Sequence, residues 1–256
     1  MIYSGRGITL GMTPDGTPFA GYTLSGRSPS SKARMLYHTT EDDCVVIATK
    51  ATDADVLKQG NPALLIYPVI IFDGQKLAIS NGVQTKLVIK APLPDALAVP
   101  FYIGDIDVTS YEPDAPNYTP RIAGELKPEQ QSWVSVFHIV RKAEDSSDPL
   151  PSIYRYDLEP GTARTMTTYA GGNESPLLPF MSVPMETEIA SDDSQGLCKH
   201  LFSMLRGAGP EDYRVSAAVL TWASTARGDS IADISIINVS DDTNEPHNIK
   251  VHLRQG

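Results

Sequence analysis

The sequence predicts an α+β protein in which sheets pack face to face with helices outside. Three observations carry that expectation. The 20 prolines and 19 glycines are spread along all 256 residues, which favours many short strands and turns over long helices. Apolar runs of strand length alternate with turn signals through most of the chain. Helical spacing is best supported in a single stretch, residues 194–206. With no internal repeat, low-complexity tract or long flexible linker, one domain over residues 1–256 is expected.

The first two apolar runs, residues 7–11 and 18–24, flank Pro14-Asp15-Gly16. Asp-Gly between two apolar runs signals a hairpin, because glycine takes the positive φ that the turn demands. Asp73-Gly74 signals a second hairpin between residues 64–72 and 76–80. Residues 64–72 are almost continuously apolar, as in a strand buried on both faces. Residues 44–49 add a short strand, and 91–108 read as a turn followed by a helix or strand. In the strand at 132–142, Trp133, Ser135, Phe137 and Ile139 alternate with Val134, Val136, His138 and Val140. Residues 153–158 and 162–169 could form another strand pair. The helix at 194–206 brings Leu197, His200, Leu201, Met204 and Leu205 to one face, and Gly207 supplies its stop. Residues 213–222, 231–239 and 249–253 read as closing strands, while 144–149 and 240–247 read as surface loops.

Charge and composition narrow the function classes. A net charge of −10 argues against sequence-independent nucleic-acid binding, which depends on neutralising phosphates. One small nucleotide in a locally basic pocket stays compatible with it. Cys44 and Cys198 are isolated, giving neither a zinc site nor a disulfide framework, so a reduced, cytoplasmic setting is expected. The five histidines, His38, His138, His200, His247 and His252, lack metal-ligand spacing, and no metal is expected. No apolar run approaches the roughly 20 residues that span a bilayer. The opening Met-Ile-Tyr-Ser-Gly-Arg-Gly shows no signal-peptide pattern, so no membrane association is expected.

Chemistry concentrates in four segments. Tyr111-Glu112-Pro113-Asp114-Ala115-Pro116-Asn117-Tyr118-Thr119-Pro120-Arg121 packs two carboxylates, two phenols, an amide and a guanidinium into a proline-punctuated stretch. An ion-paired turn is the plainer reading of it. Residues 25–34 hold four serines, Gly26 and the cations Arg27, Lys32 and Arg34. Short hydroxyl donors, open backbone and guanidinium charge suit an anion cradle, although a solvated cationic loop would look the same. Asn61-Pro62 followed by Tyr67, and the turn Ser80-Asn81-Gly82, complete the set. Tyr67 alone could be an aromatic of a buried strand.

Taken in order with the opening Gly5-Arg6, these segments resemble the archaeal-type IMP cyclohydrolases over roughly the first 125 residues. The Glu112 segment follows that family's Tyr-Glu-x-Asp, Asn and Thr-Pro-Arg-Ile-Ala pattern. Ser25-Gly26-Arg27-Ser28 stands for its Ser-Ser-Arg-Ser, with Lys32 or Arg34 at the later arginine. Departures are Gly26 for a serine, Ala63 for a tyrosine, Pro68 for an asparagine, and Gln84-Thr85-Lys86 for His-Thr-Asp. The resemblance implies a four-layer αββα sandwich, the N-terminal-nucleophile hydrolase fold without autoprocessing. Ile2 after Met1 agrees, since no Ser, Thr or Cys is poised there.

The implied reaction closes 5-formamido-imidazole-4-carboxamide ribonucleotide to IMP with loss of water, the last step of purine biosynthesis. The resemblance implies no metal or redox cofactor. It gives Glu112 proton transfer or orientation of the carboxamide, and Tyr67 donation to the formyl oxygen. Arg27, with Lys32 or Arg34, would stabilise the oxyanion or bind phosphate. Ser28, Asn81, Gly82, Asn117, Thr119 and Arg121 would contact the purine nucleotide or support the Glu112 loop. A homo-oligomer is expected from the family and from how commonly soluble proteins assemble symmetrically. Two alternatives remain: a related hydrolase cleaving or closing another amide, suggested by Ala63, Gln84 and Lys86, and a non-catalytic purine-nucleotide-binding protein.

Overall fold

Strands β1 (Arg6–Met12) and β2 (Pro18–Ser25) form the N-terminal hairpin, with Gly16 in its turn at a φ of +87°. The structure is a computed structural model that describes residues 3–130, 132–207, 209–224, 229–241, 243 and 245–253. The four-residue helix α1 (Pro29–Lys32) leads into a second hairpin, β3 (Arg34–Glu41) and β4 (Cys44–Ala51). After the short helix α2 (Ala54–Leu57), strands β5 (Pro68–Phe72) and β6 (Leu77–Ser80) make a third, followed by α3 (Thr85–Val88). The two-residue strands β7 (Tyr102–Ile103) and β8 (Ile106–Asp107) form a separate small ribbon. A long loop then enters the meander β9 (Arg121–Glu129), β10 (Ser132–Lys142) and β11 (Pro149–Asp157). The remaining elements are β12 (Thr162–Thr167), β13 (Met185–Glu188), helix α4 (Ser194–Met204), β14 (Arg214–Ser224), β15 (Ser230–Asn238) and β16 (His247–Leu253).

These strands build two seven-stranded antiparallel sheets. The first runs β13-β12-β1-β2-β14-β15-β16 and the second β11-β10-β9-β6-β5-β4-β3. Ile8, Leu10, Tyr22 and Leu24 of the first share one buried cluster with Ile47, Ile70, Phe72, Ile79 and Phe137 of the second. Across that interface the Phe72 and Trp222 rings lie 4.8 Å apart. The other face of the first sheet buries Phe19, Ala217, Val219 and Ile237 beneath Leu197, Cys198, Leu201 and Phe202 of α4. Gly21 seats that helix, because a Cβ there would lie 2.3 Å from Leu201 Cδ1. The other face of the second sheet packs Ala78, Ala123 and Val136 with Val88 of α3 and Leu93. The architecture is α+β.

Several sequence expectations need correction. The strand expected at 64–72 begins only at Pro68, since Asn61 caps a 3-10 turn over Pro62–Leu64, its side chain accepting from Ala63 N at 3.1 Å. Residues 153–158 and 162–169 do not pair with each other: β11 joins β10, whereas β12 joins β1 in the opposite sheet. The turn between them is a crossover. Strands β3 and β9 escaped the reading, because Tyr37-His38-Thr39-Thr40 and the buried Arg121 and Glu125 interrupt their apolar patterns. Part of the expected 240–247 loop, residues 242 and 244, lies outside the described residues.

Candidate functional site

The start of β1 and the end of β2 meet the end of β6 and the start of β9 at one end of the sandwich. Glycine lets this junction close. Gly5 adopts a φ of +73°, and a Cβ on it would lie 2.2 Å from Thr168 Oγ1 and 2.7 Å from the Tyr169 ring. Ser25 ties the hairpin shut there, its hydroxyl donating to Gly5 O at 2.7 Å. The next residue, Arg6, is buried and donates from Nη2 to Glu112 Oε1.

Glu112 is 2% exposed. Its backbone N donates to Thr119 O at 2.8 Å, so the loop folds back on itself and turns the carboxylate inward. Arg121 Nη1 lies 3.9 Å from Oε1 of the same carboxylate, and donates to Gln84 Oε1 at 3.3 Å. Asn81 locks the arrangement from behind. Its Nδ2 donates to Pro120 O at 2.9 Å and reaches Glu112 Oε1 at 3.5 Å, while its Oδ1 accepts from Ile122 N and Gln84 Nε2. Gly82 leaves room for Arg121, because a Cβ there would lie 2.6 Å from Nη1.

One carboxylate between two guanidiniums has a balanced electrostatic position. Burial pushes the Glu112 carboxyl above the usual carboxylate range, against the pull of Arg6 and then Arg121. Burial also weakens the Arg6 charge, but Glu112 and the phenols of Tyr67, Tyr169 and Tyr22 outweigh it and hold Arg6 firmly protonated. At Arg121 burial wins over Glu112 and lowers the guanidinium's pKa. The array therefore combines a buried carboxylate held above its usual range with two guanidiniums, of which Arg6 is the more firmly protonated.

Above the array opens a cleft of about 280 Å³. Arg6, Glu112, Asp114, Asn117 and Thr119 line one part of it, and Arg27, Ser28, Ser30 and Ser31 another. The serines belong to α1 and its cap. Ser28 Oγ accepts from Ser31 N, and Ser31 Oγ accepts from Ser28 N at 3.0 Å, a reciprocal capping box that fixes the turn. The Arg27 guanidinium lies 5.1 Å from the centre of the Tyr3 ring. Asn117 Oδ1 accepts from Leu177 N at 3.1 Å, tying the loop to the far wall.

Thus Arg27, Ser28, Glu112, Asn117 and Thr119 come together, with Asn81, Gly82 and Arg121 directly behind them. Three expected residues stand elsewhere. Lys32 points away, its Nζ donating to Asp212 O at 3.4 Å and lying 5.7 Å from the Tyr213 ring centre. Arg34 is buried under α1, donating to Ser31 O and Leu65 O. Tyr67 is buried against Tyr22, hydroxyl to hydroxyl at 3.1 Å, and is not among the described residues that line the cleft. Conversely, Arg6, Tyr3, Asp114 and Tyr169 line the cleft without having been chosen. Gly5-Arg6 was a visible signal for the first. Tyr169 lies just past β12 with no motif around it.

Among the described residues no group of three or more His, Cys, Asp or Glu could hold a metal ion, and no helix is long and apolar enough to cross a membrane. Fold and cleft together define an α+β protein with a serine- and arginine-lined cleft over a buried carboxylate–guanidinium array. The profile of the IMP cyclohydrolase-like protein family matches residues 3–224, and the chain belongs to that family. It is similar to the IMP cyclohydrolase of Methanococcus aeolicus, 33% identical over 128 residues that cover 48% of this chain and 57% of the relative. The corresponding protein of Methanocaldococcus jannaschii is 30% identical over 129 residues, 49% and 57%. That of Methanococcus maripaludis strain C7 is 32% identical over 126 residues, 48% and 57%. The chain thus spans little more than half the length of the curated relatives it matches.

Proposed function

We propose that this protein is an IMP cyclohydrolase, closing 5-formamido-imidazole-4-carboxamide ribonucleotide to IMP with loss of water. The observation that carries the proposal is Glu112 held between Arg6 and Arg121 at the base of a serine- and arginine-lined cleft. Ring closure needs a proton removed from a poorly nucleophilic carboxamide nitrogen as that nitrogen attacks the formyl carbon. Negative charge then grows on the formyl oxygen, which leaves as water after taking up the carboxamide proton relayed by Glu112 and the proton that the formamido nitrogen gives up as the C=N bond forms. Glu112 is the proton acceptor in this reading, its basicity raised by burial. Arg6 faces the cleft and supplies positive charge to the developing oxyanion. Arg27 and Ser28, with the other α1 serines, take the phosphate. Arg121, Asn81 and Gly82 hold the carboxylate in place, and Tyr67 supports Arg6 from behind. Lys32 and Arg34 have no direct part.

The proposal extends to the whole chain as one domain with the αββα fold of N-terminal-nucleophile hydrolases. Support comes from the two facing sheets with α4 and α3 on their outer faces. A cytoplasmic homo-oligomer completes it, in keeping with the free thiols of Cys44 and Cys198.

The test is IMP formation from the formylated ribonucleotide, followed by absorbance, in wild type and Glu112→Gln. Expected is turnover by wild type and a loss of about 10²-fold or more in the variant. Normal turnover by the variant would remove Glu112 as the acid–base group. IMP binding without turnover by wild type would make the protein a nucleotide binder, and the absence of both turnover and binding would send the search to other amides.

A further inference from the structure

We propose that Tyr169 is the fixed hydrogen-bond acceptor of the cleft, its lone pairs turned toward the ligand because Asp114 and Thr119 set the direction of its hydroxyl. The inference rests on reading this cleft as a nucleotide site. Its basis is the placement of protons along three residues that all line the cleft.

Asp114 Oδ1 accepts from the Thr119 backbone N–H at 2.6 Å, and its Oδ2 lies 2.5 Å from Thr119 Oγ1. An ionised carboxylate only accepts, so the single Thr119 hydroxyl proton goes to Asp114. Thr119 Oγ1 also lies 2.5 Å from Tyr169 Oη. With its own proton committed, Thr119 can only accept there, and Tyr169 must donate. The phenol oxygen is left with lone pairs to offer. It therefore selects a ligand group that brings a hydrogen: a ring or amide N–H, or a ribose hydroxyl. Burial, partly offset by Arg6, raises the Tyr169 pKa, keeping the phenol protonated and the direction fixed.

Asp114→Asn reverses the relay with almost no change of shape. The Thr119 backbone N–H still demands an oxygen, which directs the new amide NH₂ at Thr119 Oγ1. Thr119 must then donate to Tyr169, and the phenol proton turns into the cleft. Tyr169→Phe removes the oxygen and keeps the ring.

Titration calorimetry with IMP should show about tenfold weaker binding for each variant, the worth of one hydrogen bond, and no further loss in the double variant. Full affinity in Tyr169→Phe, or additive losses, would overturn the proposal. 2′,3′-Dideoxy-IMP identifies the donor. The same loss on Tyr169→Phe assigns a base N–H, and no loss assigns a ribose hydroxyl. Neutron diffraction of ligand-free wild type reads the direction independently of binding and of variant folding. A Tyr169 deuteron aimed at Thr119 supports the relay, and a Thr119 deuteron aimed at Tyr169 overturns it. If wild type fails to bind IMP, the nucleotide reading fails, and the neutron map still decides the polarity.

Discussion

Glu112 lies in the interior between two guanidiniums, which pull against the burial that raises its pKa. Taking one partner from a buried pair leaves the other stranded and costs about 3–5 kcal/mol. Arg6→Met should therefore lower unfolding free energy by about that much in urea, and a change under about 1 kcal/mol would mean that Arg121 and Asn81 suffice. Gly5→Ala should also destabilise, by about 2 kcal/mol or more, because a positive φ and close approach to Thr168 and Tyr169 coincide there. An unchanged urea midpoint would show that the backbone relaxes. At this scale the sequence was most legible where a motif grouped charged residues, as in residues 111–121 and 25–28. It did not show that Lys32 and Arg34 stand outside the cleft. A four-residue helical turn rotates successive side chains by roughly 100°, which sends Lys32 away from the cleft, while Arg34 already belongs to β3 beneath the turn. Tyr169 was invisible because its neighbourhood exists only after β12 docks beside β1.

Among the elements, α4 depends on two local choices. Asp193 caps it, accepting from Gly196 N at 2.7 Å, and Leu201 fills the space that Gly21 vacates. Asp193→Ala should cost about 1 kcal/mol, and Leu201→Ala about 2–5 kcal/mol. Both are read by chemical denaturation; a larger loss from the cap would invert this ranking. The helix itself was legible from its spacing, and so were the first hairpin and β10. Strand partners were not. Periodicity tells which face of a strand is apolar, but β11 and β12 carry nothing local to say that they belong to opposite sheets.

For the molecule as a whole, acid is the informative stress. His138 is buried in the second sheet with Nδ1 unpartnered, and burial lowers its pKa from 6.5 to about 4. Between those values the unfolded chain binds the proton more readily than the folded one. Stability should therefore be full above pH 6.5 and fall as pH drops toward 4, by about 3 kcal/mol from this residue. His138→Gln should flatten that slope relative to wild type, with His38, also lowered by burial, keeping part of it. Parallel pH profiles for the two proteins would exclude His138 as the source.

The cleft draws Arg6 from the start of β1 and Arg27 from the chain after β2, and Glu112 from the loop that leads into β9, with Arg121 of β9 behind it. A molecule touching Arg27 and the Glu112 loop together is a clasp across the sandwich. Unfolding must release it before the sheets can part. At a hundred times its dissociation constant it would add about 2.7 kcal/mol to the stability of both layers at once. Melting temperature alone then ranks candidate nucleotides and their precursors without any need for turnover, the true ligand raising it by several degrees.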